Sequence, residues 1–126
     1  MSAHGLLVVG HGSRREEANE TVRAVARALA ERESWAGVQA AFLEVVQPDV
    51  ATGYARLVAA GCTRVVVHPF FLFPGNHTTR DIPDALRAAQ RAHPGATWTL
   101  TAPLGLHPGV LSAARDRVEA ALADPW

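Results

Sequence analysis

Hydrophobic positions along this chain alternate between short unbroken runs and runs with helical spacing. Gly5 to Val9 (GLLVV) is a continuous apolar stretch closed by Gly10-His11-Gly12, the pattern of a parallel strand buried on both faces. From Glu16 the period changes. Ala18, Val22, Val25 and Leu29 fall on one helical face with Glu20, Arg23, Arg27 and Glu31 outside it, and Ser13 stands a few residues ahead as a cap. Val38 to Leu43 reads as a second strand with Glu44 near its end. Pro48 and Asp49 open a second helix that turns Val50, Tyr54, Leu57 and Val58 inward, and Gly61 is placed to end it. The third strand starts at Arg64, runs through Val65, Val66 and Val67 into an aromatic cluster (Phe70, Phe71, Phe73), and breaks at Pro74-Gly75 to present His77 in a polar loop. Asp81 and Pro83 start a third helix carrying Ile82, Leu86 and Ala89, which stops at His93-Pro94-Gly95. Thr97 to Thr101 is a fourth strand, Pro103 to Gly109 a loop, and Leu111, Ala114, Val118 and Leu122 form the stripe of a last helix.

Strict alternation of strand and helix implies an α/β domain: a mostly parallel four-stranded sheet with right-handed crossovers, flanked by helices. No linker or composition shift divides residues 1–126, so a single domain is expected. Open parallel sheets bind ligands beyond the carboxyl ends of their strands, where strand order reverses. With the order 2-1-3-4 the reversal lies between the first and third strands, which makes the loops bearing His11 and His77 neighbours. Glu44 and His107 follow the second and fourth strands and reach the same edge.

Composition narrows the class. A chain of 126 residues with 48% apolar and 19% charged residues can bury a core of its own. Twelve basic and twelve acidic residues cancel without forming blocks, which speaks against nucleic acid and against a polybasic membrane anchor. The lone Cys62 supplies no disulfide and no CxxC pair, as in a reducing compartment, and reads as a small buried apolar residue. The N-terminal apolar run is short and lacks a basic flank, and no stretch is long enough to span a bilayer. A cytoplasmic protein is expected.

The unusual residues suit metal chemistry. His11 sits between glycines at a strand exit, where the backbone can approach a ligand closely while the imidazole faces outward. Neutral imidazoles of His11 and His77 suit Co, Ni, Fe and Zn, and either can take up a proton near neutral pH. Glu44 can act as base, ligand or orienting partner. His107 can line the same edge or start the last helix, and His68, ahead of Pro69, reads as a satisfied strand-end histidine. The Gly10–Arg15 loop is Gly-rich, basic and leads into a helix, yet lacks both the dinucleotide fingerprint and the Gly-Lys-Ser/Thr ending of a P-loop, so no nucleotide is expected. Arg14, Arg15 and Arg80 give the two histidine loops carboxylate-binding neighbours.

Taken together, LLVVGHGSRREEAN, AFLEVVQPDV, VVVHPFFLFPGNHTTRDIP and APLGLHPGVL resemble the successive motifs of the small sirohydrochlorin cobaltochelatases, the short form of the sirohydrochlorin chelatase family. The resemblance implies a chelatase-like half-domain that inserts a divalent metal into sirohydrochlorin without ATP. It implies metal held by His11 and His77, with Glu44 as base or ligand, and a homodimer that completes the site. Co2+ is favoured, with Fe2+ and Ni2+ as alternatives. Ser13, Arg14, Arg15, Phe71, Phe73, Arg80 and His107 are the residues expected to meet the tetrapyrrole, whose eight carboxylates match the arginines and whose ring matches the phenylalanines. Two other readings stay open: a hydrolase using His11 as nucleophile or base, and a non-catalytic carrier of metal or tetrapyrrole.

Overall fold

The structure, a computed structural model, describes residues 3–32, 34–73 and 75–124, the side chains of 76–79 excepted. The apolar runs form strands β1 (His4–Gly10), β2 (Gly37–Phe42), β3 (Arg64–Pro69) and β4 (Thr97–Leu100), and the periodic stretches form helices α1 (Glu16–Ala30), α2 (Val50–Ala59), α3 (Asn76–Ala92) and α4 (Pro108–Ala123). All strand pairs are parallel and the order is β2-β1-β3-β4, the expected one. β1 lies inside the sheet, which is why its run is apolar without alternation: Leu7, Val8 and Val9 are fully buried and Leu6 nearly so.

Each face of the sheet has its own core. Leu7, Val9, Ala41, Val65 and Val67 pack with Tyr54 and Leu57 of α2 and with Ile82 and Leu86 of α3. On the opposite face, Leu6, Val8 and Phe42 pack with Val22 and Ala26 of α1. Burial of each such large side chain stabilises the fold by about 1.5–3 kcal/mol. Cys62 joins the first core, and burial pushes its thiol pKa up.

Local chemistry sets the ends of α2. The Asp49 carboxylate accepts a hydrogen bond from Thr52 N at 2.8 Å, and its bonds with Thr52, side chain first and backbone second, hold its pKa below the ordinary value. At the other end Gly61 takes φ +97°, its N–H reaching Val58 O while Cys62 N reaches Leu57 O, a Schellman closure that favours glycine.

Three expectations need correction. The inner face of α1 is Asn19, Val22 and Ala26, while Ala18 and Leu29 are exposed, because Asn19 is drawn inward by the preceding loop. Ser13 does not cap α1: Arg15 is the residue at the cap, and the Ser13 hydroxyl accepts from Arg15 N instead. The third helix begins at Asn76, so His77 lies in its first turn and not in a loop, and Pro83 falls inside it. Helical periodicity starts only at Ile82 because Ile82, Leu86 and Ala89 are the residues α3 buries, and the polar turn before them carries no apolar signal.

Loss of the α2 cap through Asp49→Ala should lower stability by about 1 kcal/mol, read as a lower urea midpoint at unchanged slope.

Candidate functional site at the carboxyl edge of the sheet

The site is assembled from four strand exits. β1 leaves through Gly10, His11, Gly12 and Ser13. A Cβ on Gly10 would stand 2.7 Å from Val22 Cγ2, and one on Gly12, whose φ is +89°, would stand 1.8 Å from the Glu44 carbonyl oxygen. From the sequence alone, these glycines suit close approach of a ligand. In the structure their missing side chains make room for α1 and for the β2 exit.

The β2 exit is locked to the β1 exit by backbone bonds from Leu43 N to Gly10 O (3.1 Å) and from Glu44 N to His11 O (3.0 Å). Beyond it Val46 N bonds to Glu44 O at 2.8 Å, closing a γ-turn around Val45, which takes φ +73°. A β-branched residue in that region is strained. The backbone of Glu44 is therefore bound on both sides of the residue while its side chain is exposed.

At the β3 exit Phe70 N bonds to Val9 O at 2.8 Å, and Phe70 packs on the α1-side core. Phe71 lies against His11, ring centroids 4.6 Å apart and planes tilted by 53°. Leu72 and Phe73 are 55% and 74% exposed. The β4 exit returns to this segment through Leu104 N to Phe71 O (2.9 Å) and Gly105 N to Leu72 O (2.5 Å). His107 then caps α4, its Nδ1 accepting from Gly109 N at 2.9 Å, so this nitrogen serves the fold. The structure thus joins His11, Glu44, Phe71 and the His107 loop along one edge. Arg14 and Arg15 stand exposed between His11 and α1, and Arg80 is exposed just past the first turn of α3. The side chain of His77 lies outside the described residues. Among the described residues no three His, Cys, Asp or Glu side chains converge on a metal position.

Two residues hold this edge without being obvious in the sequence. Asn19 is 2% exposed, and its Oδ1 accepts from Ser13 N (2.9 Å) while its Nδ2 donates to Ser13 O (2.8 Å) and Glu16 Oε2 (3.3 Å). It clamps the loop carrying His11 to α1. The available signal was an asparagine three residues before Val22, on the stripe that α1 buries. Thr101 is the second. Its hydroxyl donates to Ala102 O (3.0 Å), so it accepts from His68 Nδ1 (2.7 Å), which makes Nδ1 the protonated nitrogen. His68 is thereby satisfied at the strand end, as expected, and burial lowers its pKa from the ordinary histidine value.

Residues 5–121 match the family described as CbiX. The chain is 36% identical to the chloroplastic sirohydrochlorin ferrochelatase of Arabidopsis thaliana over 96% of its own length and 54% of that protein's. It is 30% identical to the sirohydrochlorin cobaltochelatase of Methanothermobacter thermautotrophicus over 94% of this chain and 92% of that one. The crystal structure of the sirohydrochlorin chelatase SirB from Bacillus subtilis subspecies spizizenii in complex with cobalt superposes with a TM-score of 0.85 at 30% identity, covering 95% of this chain and 51% of that chain. The chain therefore spans about half the length of the Arabidopsis protein and of SirB, and nearly all of the archaeal one.

Gly12→Ala should destabilise the protein by roughly 2 kcal/mol or more, since its Cβ collides with backbone and its φ is disfavoured; a thermal melt that matches the parent would contradict this packing. His68 generates a pH dependence. Because folding holds its pKa below the ordinary value near 6.5, the unfolded chain binds the proton more readily, and stability falls as pH drops through that value until the folded imidazole is itself protonated. Melting temperatures followed from pH 8 to pH 5 should show this loss, and His68→Gln should remove that component.

Proposed function

The chain belongs to the CbiX family, a family of sirohydrochlorin chelatases, and from that premise we propose that it inserts a divalent metal into sirohydrochlorin, acting in the cytoplasm and without a nucleotide. The observation that carries the reading is the joining of His11, Glu44 and Phe71 at the edge where strand order reverses. That edge presents an imidazole, a carboxylate and an apolar rim together, which supports a reading in which metal, proton acceptor and ring surface meet at one place.

The arrangement acts on two substrates. His11, with His77 from the first turn of α3, replaces part of the metal's water shell and leaves positions open for the macrocycle. Packing against Phe71 limits the freedom of the His11 ring, so less entropy is lost when it binds. Metal entry releases two pyrrole N–H protons. Glu44 or a neutral histidine accepts them within hydrogen-bond reach, and the bonds on either side of Glu44 keep its carboxylate at the edge. Exposed Phe73 and half-buried Phe71 offer apolar surface to the ring plane. Ser13, Arg14, Arg15 and Arg80 meet its peripheral carboxylates, and His107 lines the far side. The edge is open, and a second copy of the chain closes over the ring to exclude water.

Cobalt is the preferred metal in this reading, with iron and nickel as alternatives. Imidazole and carboxylate donors bind all three, so selection rests on coordination geometry and supply more than on ligand type. Relatives named for cobalt and for iron both resemble the chain.

Anaerobic insertion of Co2+, Fe2+ or Ni2+ into sirohydrochlorin, followed by visible absorption, tests the proposal. Acceleration should be fastest with Co2+ and should fall at least 100-fold in His11→Ala and in His77→Ala, with Glu44→Gln slowed by about 10²-fold or more if it is the base. Normal turnover in both histidine variants would reject the site, and binding of sirohydrochlorin without acceleration would make the protein a carrier.

A further inference from the structure

Asn19 is the one buried polar side chain among the described residues, 2% exposed on a helix face it shares with Val22 and Ala26. An apolar residue at this position would pack as its neighbours do. Asparagine is a weak helix former, and its amide is tolerated inside a core only when its hydrogen bonds are made. Packing of α1 therefore does not account for it.

Its partners do. The N–H and C=O of Ser13 make no backbone bond among the described residues, and both go to the Asn19 amide, at 2.9 and 2.8 Å. One side chain thereby holds the peptide planes on both sides of Ser13. The two preceding planes are held from the β2 exit, where Leu43 N reaches Gly10 O and Glu44 N reaches His11 O. Every plane from the one between Gly10 and His11 to the one between Ser13 and Arg14 is tied, and the His11 Cα joins the first two. Of these ties, only those to Asn19 depend on a side chain.

A further layer supports the amide. Its Nδ2 also donates to Glu16 Oε2 (3.3 Å), Arg23 bonds to the other oxygen of Glu16, and the guanidinium carbon of Arg23 lies 5.5 Å from the centroid of the Phe42 ring. Phe42 adjoins Gly12, since a Cβ on that glycine would stand 3.4 Å from Phe42 Cβ. The contacts that leave the loop at Ser13 thus return to it at Gly12.

We propose that Asn19, supported through Glu16 by Arg23, is a positioning residue for His11, and that this unit sets the affinity of the protein for a divalent cation. An imidazole binds most tightly when its nitrogen already stands where the metal will sit, because a loop that must first be ordered loses that much affinity. Phe71 restrains the ring, and Asn19 restrains the backbone that carries it. The inference rests on the proposed role of His11 in holding metal.

The test is Co2+ binding by the full chain, followed by titration calorimetry well below the melting temperature of every variant. Asn19→Ala should weaken binding by about 10-fold or more. In the metal-free protein its His11 imidazole NMR signals should shift or broaden while those of His68 stay in place. Asn19→Ser, which leaves a hydroxyl too short to bridge Ser13, should behave likewise and serves if Asn19→Ala does not fold. Ala26→Gly loosens the same helix without touching the loop and should bind like the parent. Glu16→Ala and Arg23→Met should each weaken binding by about 2- to 5-fold. They remove charges of opposite sign, so charge acting directly on the cation would move the affinity in opposite directions, whereas lost positioning lowers it in both. Parent-like affinity with unchanged His11 signals in the Asn19 variants would overturn the proposal. So would an equal loss in Ala26→Gly, or opposite shifts in the Glu16 and Arg23 variants. Cobalt binding indifferent to His11→Ala would instead sink the reading that His11 holds metal, and the metal-free His11 signals would then decide the positioning by themselves.

Discussion

The approach of the Glu44 carbonyl to Gly12 is the contact on which the functional edge depends. There is no room for a side chain at residue 12, and its φ lies where glycine is favoured. Given that space, Leu43 and Glu44 extend the β1–β2 ladder past the end of the strands, and the carbonyls of Gly10 and His11 are satisfied by backbone bonds. Asn19 fixes the following residue, Ser13, from the helix side. His11 is therefore carried on a loop bound both to the neighbouring strand exit and to α1. A mobile loop would have to lose its conformational freedom whenever a metal was held.

The strained γ-turn at Val45 belongs to the same construction. It reverses the chain directly after Glu44, and the rest of the structure supports it through the Phe42 N to Pro48 O bond and the capped start of α2. Strain of this kind persists where surrounding bonds over-determine it. Here its effect is to turn the chain directly after a backbone joined to that of His11, while the Glu44 side chain stays exposed.

The β3 and β4 exits contribute surface more than polar groups. Phe70 turns into the core while Leu72, Phe73 and Leu106 remain outside, and the bonds between the two loops hold them as one rim. That rim and the apolar stripe of α4 are among the apolar surfaces one copy leaves in water. In the proposed function the rim meets a flat macrocycle.

The sequence by itself determined the strands, their order and the edge at which unusual polar residues would gather, because burial on two faces and strand-helix alternation leave few parallel topologies. It also marked Asp49 and Gly61 as helix boundaries, since caps are decided by local backbone chemistry. Only the tertiary structure decided which residue α1 turns inward, because the two hydrogen bonds that bury Asn19 come from a loop outside the helix. It decided that Gly12 yields to Glu44, a contact between residues far apart in sequence, and that His77 sits on a helical turn whose polar residues carry no periodic signal. It likewise decided the fate of the last helix. Its spacing marks an apolar stripe, but spacing records only that a face is apolar. What covers that face depends on where the preceding loop sends the helix, and here the loop is tied by its amides to Phe71 and Leu72.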